Sequence, residues 1–61
     1  MITGQVLRKE RRDAEVTVSE VARLMGLSRR SIHRIEARTM LTPDRIKAYR
    51  RALEQATESK G

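Results

Sequence analysis

The chain has no cysteine, tryptophan or phenylalanine, and only one tyrosine (Tyr49), one proline (Pro43) and one histidine (His33). Without cysteine there can be neither a disulfide nor a thiolate metal site, so a domain of 61 residues must stand on its apolar core alone. A core of that size withdraws only about 60% of the unfolded chain's surface from water, and the expected stability is marginal. His33 has no second histidine or cysteine to join it, which excludes a metal centre built on imidazole or thiolate. The scarcity of aromatics argues against a membrane-surface helix, which pairs a basic face with Trp, Phe and Leu. No apolar run approaches the roughly 20 residues needed to cross a bilayer, and no signal-peptide pattern precedes a cleavage site. The expected location is therefore cytoplasmic. A glycine-rich phosphate loop, a paired-carboxylate constellation and a nucleophile–base set are also missing, so enzymatic activity, a cofactor and a small-molecule ligand find no support. Apolar–polar alternation is too short-lived for strands, which argues against the hairpin of a winged helix.

What the chain does have is positive charge. Fourteen basic residues, eleven of them arginine, stand against eight acidic ones and give a net charge of +6. Arginine presents a planar fork of donors that suits phosphates and guanine edges, and this excess in so short a chain points to nucleic acid.

The coarse reading is all-α, a single domain over residues 1–61, with helices at about 4–14, 18–25, 29–37 and 43–57 and a frayed tail at 58–61. Helix 1 has Thr3 as its N-cap and a thin apolar side of Val6, Leu7 and Ala14, with Ile2 nearby. Helix 2 opens on Thr17-Val18-Ser19-Glu20, a capping box, with Val16 placed to staple onto Val21. Val21, Leu24 and Met25 form its apolar face, and Gly26 supplies the left-handed stop. Ser28 caps helix 3, whose Ile32 and Ile35 point inward while Arg30, His33, Arg34 and Ala37 fall on the other side and Arg29 sits at the tip. Thr42-Pro43-Asp44 starts helix 4 with a cap, a proline at the first position and an acid in the first turn. Ile46, Tyr49 and Leu53 are its expected stripe, and Ala48, Ala52 and Ala56 are read either as good helix formers or as a smooth edge for close packing in a dimer. Met40 and Leu41 are expected either to close over the core or to form a dimer patch.

Two short helices joined by Gly26-Leu27-Ser28, the second of them basic, are what a helix-turn-helix requires: one helix holds the other at the angle that enters the major groove. Leu7 and Arg11, Thr17 and Glu20, Val21-Ala22, Leu24-Met25-Gly26, Ser28, Ser31-Ile32 and Arg34-Ile35-Glu36 together resemble the Cro/repressor (XRE-type) helix-turn-helix domain of phage and bacterial regulators. The resemblance covers roughly residues 3–55 and implies a compact, lambda-repressor-like four-helix fold. It implies base contacts from Arg29, Arg30, His33 and Arg34 and phosphate contacts from Thr17, Val18, Ser19, Ser28, Arg38 and Thr39, those of Val18 and Ser19 through their amides at a helix N-terminus. It further implies an internal ion pair of Arg11 with Glu36. From the residues alone, that pair is either a surface contact worth under about 1 kcal/mol or a partly buried one that costs more to break, and Arg11 could instead face phosphate.

The sequence departs from the family pattern at several places. Val18 stands where a polar residue often contacts phosphate, and Pro43 falls about one residue late. The loop after Glu36 lacks its usual glycine, so either Arg38 adopts a left-handed conformation at a cost of ~1 kcal/mol or the loop differs. A fifth helix, which many members use for packing and dimer contact, is not expected.

The expected function is a sequence-specific double-stranded DNA-binding transcriptional regulator, a repressor in the sense that the family implies, acting as a homodimer that forms in solution or only on DNA. An excisionase-like architectural DNA-binding protein shares the pattern from Val18 to Ser28, and an antitoxin-type protein-binding module is the alternative from another class.

Overall fold

The structure, a computed structural model, describes residues 2–60. Four helices follow one another: α1 (Gly4–Asp13), α2 (Val18–Met25), α3 (Arg29–Ala37) and α4 (Pro43–Lys60). Among the described residues there is no strand.

Each helix starts where a short hydroxyl side chain meets an amide of the first turn. Thr3 accepts from the Val6 amide at 3.4 Å, Thr17 from Glu20 at 3.1 Å, Ser28 from Ser31 at 3.2 Å and Thr42 from Arg45 at 3.2 Å. The Thr17 hydroxyl also lies 3.3 Å from the Glu20 carboxylate, to which it donates. Pro43 at the first position of α4 costs nothing, because an amide there would have no helical partner.

The helix ends are less regular. Gly26, at φ 68°, closes α2 with its amide on the Arg23 carbonyl (3.3 Å) and that of Leu27 on Ala22 (2.9 Å). The same pair of bonds closes α1, from Glu15 to Arg12 (3.0 Å) and from Val16 to Arg11 (3.1 Å). There, however, the left-handed residue is Glu15, at φ 58°. A left-handed residue other than glycine thus lies before α2, and not at Arg38, where it was one of two alternatives. Arg38 is extended (φ −79°, ψ 141°), so the glycine-free loop differs from the family's and needs no left-handed residue at that position. Its carbonyl instead accepts from the Gly4 amide at 2.7 Å, which ties the start of α1 to the end of α3. A Cβ on Gly4 would fall 2.2 Å from the Ile35 carbonyl oxygen, so only glycine allows this approach. The last helix runs to Lys60, three residues beyond its expected end near Thr57. Hydroxyls of Thr57 and Ser59 donate back to carbonyls of the preceding turn, the first to Leu53 and Glu54 and the second to Gln55, so neither residue breaks the helix.

The core gathers Leu7, Val16, Val21, Ala22, Ile32, Ile35, Tyr49, Ala52, Leu53 and Ala56. Full burial of a residue such as Ile32 or Val21 contributes about 1.5–3 kcal/mol. Val16 and Val21 are both buried in it, as a staple across the start of α2 requires. Val6, expected on the apolar side of α1, is instead 37% exposed, and Leu7 alone anchors that helix fully. Ala52 and Ala56 are inside the core and cannot supply a dimer edge, because small side chains are what let α4 lie close against the rest of the fold. Ala48 remains exposed. Leu41 packs against the core while Met40 is 76% exposed, so the two loop residues part company.

One polar network crosses this core. Glu36 is buried at the end of α3. Its carboxylate accepts from Arg11 Nε at 2.8 Å, from Arg11 Nη2 at 3.4 Å and from the Tyr49 hydroxyl at 2.6 Å. Arg11 Nη1 also donates to the Val16 carbonyl at 3.0 Å. Residues from α1, the α1–α2 turn, α3 and α4 are thus joined through a single carboxylate. Burial works against the Arg11 guanidinium, but the hydrogen bonds and charge of Glu36 outweigh it and hold its pKa above the ordinary value. Burial, reinforced by the Glu36 hydrogen bond and charge, pushes the Tyr49 hydroxyl well above its usual value. A second ion pair, Arg50 with Glu10 at 2.8 Å, links α4 to α1 at the surface.

Candidate nucleic-acid interface

Two hydroxyl caps and one left-handed glycine fix the lengths of α2 and α3 and the turn between them. The core then fixes their angle: Val21 and Ala22 on one helix and Ile32 and Ile35 on the other are all buried. With Ile32 and Ile35 inward, the helical period turns Arg30 and Ala37 most directly outward, and both are exposed. Arg29, His33 and Arg34 are exposed as well. Glu36 is the acidic residue of α3, and it is buried and engaged by Arg11 and Tyr49, so no carboxylate competes on the outer face. The result is an exposed cationic ridge.

His33 and Arg34 lie on opposite flanks of that ridge. His33 lines a surface hollow together with Gln5, Arg8 and Ala37, on the α1 side. Arg34 lines another with Arg38 and Arg45, over Leu27, Ile35 and Leu41, on the α4 side. Both are exposed on the outer side of α3, and they border different hollows.

The expected phosphate-facing residues are also distributed. Thr17 and Ser19 are exposed at the start of α2, where the first amides of a helix carry partial positive charge. The Val18 side chain packs on the core, so its backbone amide is what it can offer to a ligand. Ser28 is exposed, but its hydroxyl already accepts the Ser31 amide and meets the Ser31 hydroxyl at 3.1 Å. Arg38 and Thr39 are exposed in the loop after α3, with the Arg38 carbonyl held by Gly4.

Three residues that matter here were not legible as such. Gly4 carries no signal in the sequence beyond being a glycine, because its neighbour in space is 31 positions away. Tyr49 read as part of the apolar stripe of α4; its hydroxyl donates to Glu36 in a buried hydrogen bond. Arg45 had no part in the sequence reading, and its place beside Arg34 and Arg38 depends on how the 38–42 loop brings α4 back. The only available signal was its position in the first turn of a capped helix.

Among the described residues, no helix is long and apolar enough to cross a membrane. A comparison with curated proteins and with solved structures gives no match. The helix-turn-helix family model matches residues 7–58, from the buried Leu7 through both helices of the motif and most of α4. A capped α2, a glycine turn, a basic α3 and a family match over most of the chain lead to one conclusion: the protein belongs to the Cro/XRE-type helix-turn-helix family of DNA-binding domains.

Proposed function

We propose that this protein is a sequence-specific transcriptional regulator, acting as a repressor, that places α3 in the major groove and binds a two-fold DNA site as a homodimer. The observation that carries the reading is the ridge itself: Arg29, Arg30, His33 and Arg34 exposed on a helix whose one carboxylate is turned inward. Arg30 stands at its crest and is the first candidate for a bidentate guanine contact, worth about 1–3 kcal/mol of discrimination. Arg29, His33 and Arg34 surround it. Thr17, the amides of Val18 and Ser19, Ser28, Arg38 and Thr39 supply the phosphate contacts that set orientation. Two copies related by a two-fold axis would read half-sites about one helical turn, ~34 Å, apart.

Selection of bound duplexes from a random library at two salt concentrations tests this reading. The expected product is a palindromic consensus containing G·C pairs, with Arg30→Ala relaxing the preference at particular positions. A pool without consensus, bound with a steep salt dependence, would mean a generic cationic binder and would refute it.

A further inference from the structure

The hollow between α3 and α4 has a composition that the recognition ridge alone does not explain. It encloses about 210 Å³ and is lined by Arg34, Arg38 and Arg45 together with Leu27, Ser31, Ile35 and Leu41. No carboxylate lines it. The ion pairs among the described residues are Arg11–Glu36 and Arg50–Glu10, and neither involves these three arginines. Three guanidinium groups gathered at one hollow repel one another unless an anion sits among them. The apolar residues of the same lining offer a surface on which arginine stems can lie while their heads stay in water. The flank facing α1 is different: there Glu36 and Arg11 neutralise each other, leaving Arg8 beside His33.

We infer that Arg34, Arg38 and Arg45 form a single site for a tetrahedral phosphate oxyanion, which adds Arg45 to the binding surface and assigns Arg34 to the phosphate backbone rather than to a base edge. The helical period agrees. At about 100° per residue, Arg34 lies on the side of the Arg30–Ala37 line that faces Ser31 and Arg38, and those are the residues it meets in the hollow. A phosphodiester bound there would brace one wall of the major groove against both α3 and the start of α4, fixing how deeply the ridge inserts. The inference rests on the proposed DNA-binding role for its natural ligand, but the site's chemistry would serve a free phosphate equally.

Two measurements on the full chain test it. In the first, affinity for the selected duplex is followed against salt for the wild type, Arg34→Ala, Arg45→Ala and Arg45→Lys. Each alanine variant should weaken binding and lower the magnitude of the slope of log K against log salt, by at most the ~0.9 that one phosphate contributes, while leaving the selected consensus unchanged, and Arg45→Lys should restore the slope. In the second, inorganic phosphate is titrated and followed by amide chemical shifts; shifts should cluster at residues 34, 38 and 45 and disappear in Arg45→Ala. A changed consensus in Arg34→Ala, or an unchanged slope in Arg45→Ala, overturns the inference while the regulator reading stands. Phosphate shifts at the three arginines in a protein that binds no duplex would support the anion site and remove the DNA-binding reading instead.

Discussion

Replacing Arg11 by Met should be among the most damaging single changes in this domain, although it removes a charge from a chain that has an excess of the same sign. Arg11 and Glu36 keep only 12% and 5% of their side-chain surface exposed. With the guanidinium gone, the Glu36 carboxylate stays buried with the Tyr49 hydroxyl as its remaining partner. Breaking a buried pair in this way costs about 3–5 kcal/mol, because the surviving charge is left uncompensated. The carbonyl of Val16 loses a donor too, at 3.0 Å, in the turn that already holds the strained Glu15. At about 0.05–0.15 kcal/mol per residue, a domain of 61 residues has roughly 3–9 kcal/mol in total. The variant should therefore lose a third or more of its stability, and in the lower part of that range it unfolds. Tyr49→Phe removes one hydrogen bond to a charged group and leaves the ion pair intact, at a cost of about 1.5–3 kcal/mol. Urea unfolding followed by circular dichroism, with equal m-values, would measure both, and the double variant would show coupling through the shared carboxylate. The reasoning fails if Arg11→Met costs less than about 1 kcal/mol, the value of an exposed pair, or if Tyr49→Phe is the more harmful of the two.

Three other changes follow from the same geometry. Gly4→Ala should destabilise by about 1–3 kcal/mol despite the better helix propensity of alanine, since the added Cβ meets backbone at Ile35 and Glu36; a thermal midpoint equal to or above that of the wild type would contradict this. Glu15→Gly should instead raise stability by about 0.5–1 kcal/mol by relieving the left-handed strain at φ 58°, as seen in the same thermal scan. At alkaline pH the raised Tyr49 pKa gives a defined sign. Below about pH 10 the tyrosine is protonated in both folded and unfolded chains and its contribution is complete; above it the unfolded chain ionises first, and stability falls as pH rises toward the folded-state value. Urea midpoints of wild type and Tyr49→Phe compared from pH 8 upward should converge, and parallel curves would show that Tyr49 is not perturbed.

The helices were legible because their signals are local. Thr17, Ser28 and Thr42 are hydroxyl caps within three residues of the amides they satisfy, and Gly26 sits where the chain must turn left-handed. The inward face of α3 followed from Ile32 and Ile35 at helical spacing, and with it the outward position of Arg30. The misreadings concern faces and partners. Val6 looked like core and is exposed, while Ala52 and Ala56, read as helix formers or as a smooth edge, are buried, because which side of a weakly amphipathic helix turns inward depends on what packs against it.

By itself, then, the sequence determined the number of helices, their starts, the turn and the sign of the surface charge, since each rests on residues close together in the chain. The tertiary structure decided what lies between distant residues. It brought Gly4 against the end of α3, gave Glu36 two partners where the resemblance implied one, and split the ridge's neighbours into a paired flank on α1 and an all-arginine flank on α4. Close backbone approach, burial of a charge and convergence of like charges are properties of three-dimensional proximity, and no local pattern encodes them.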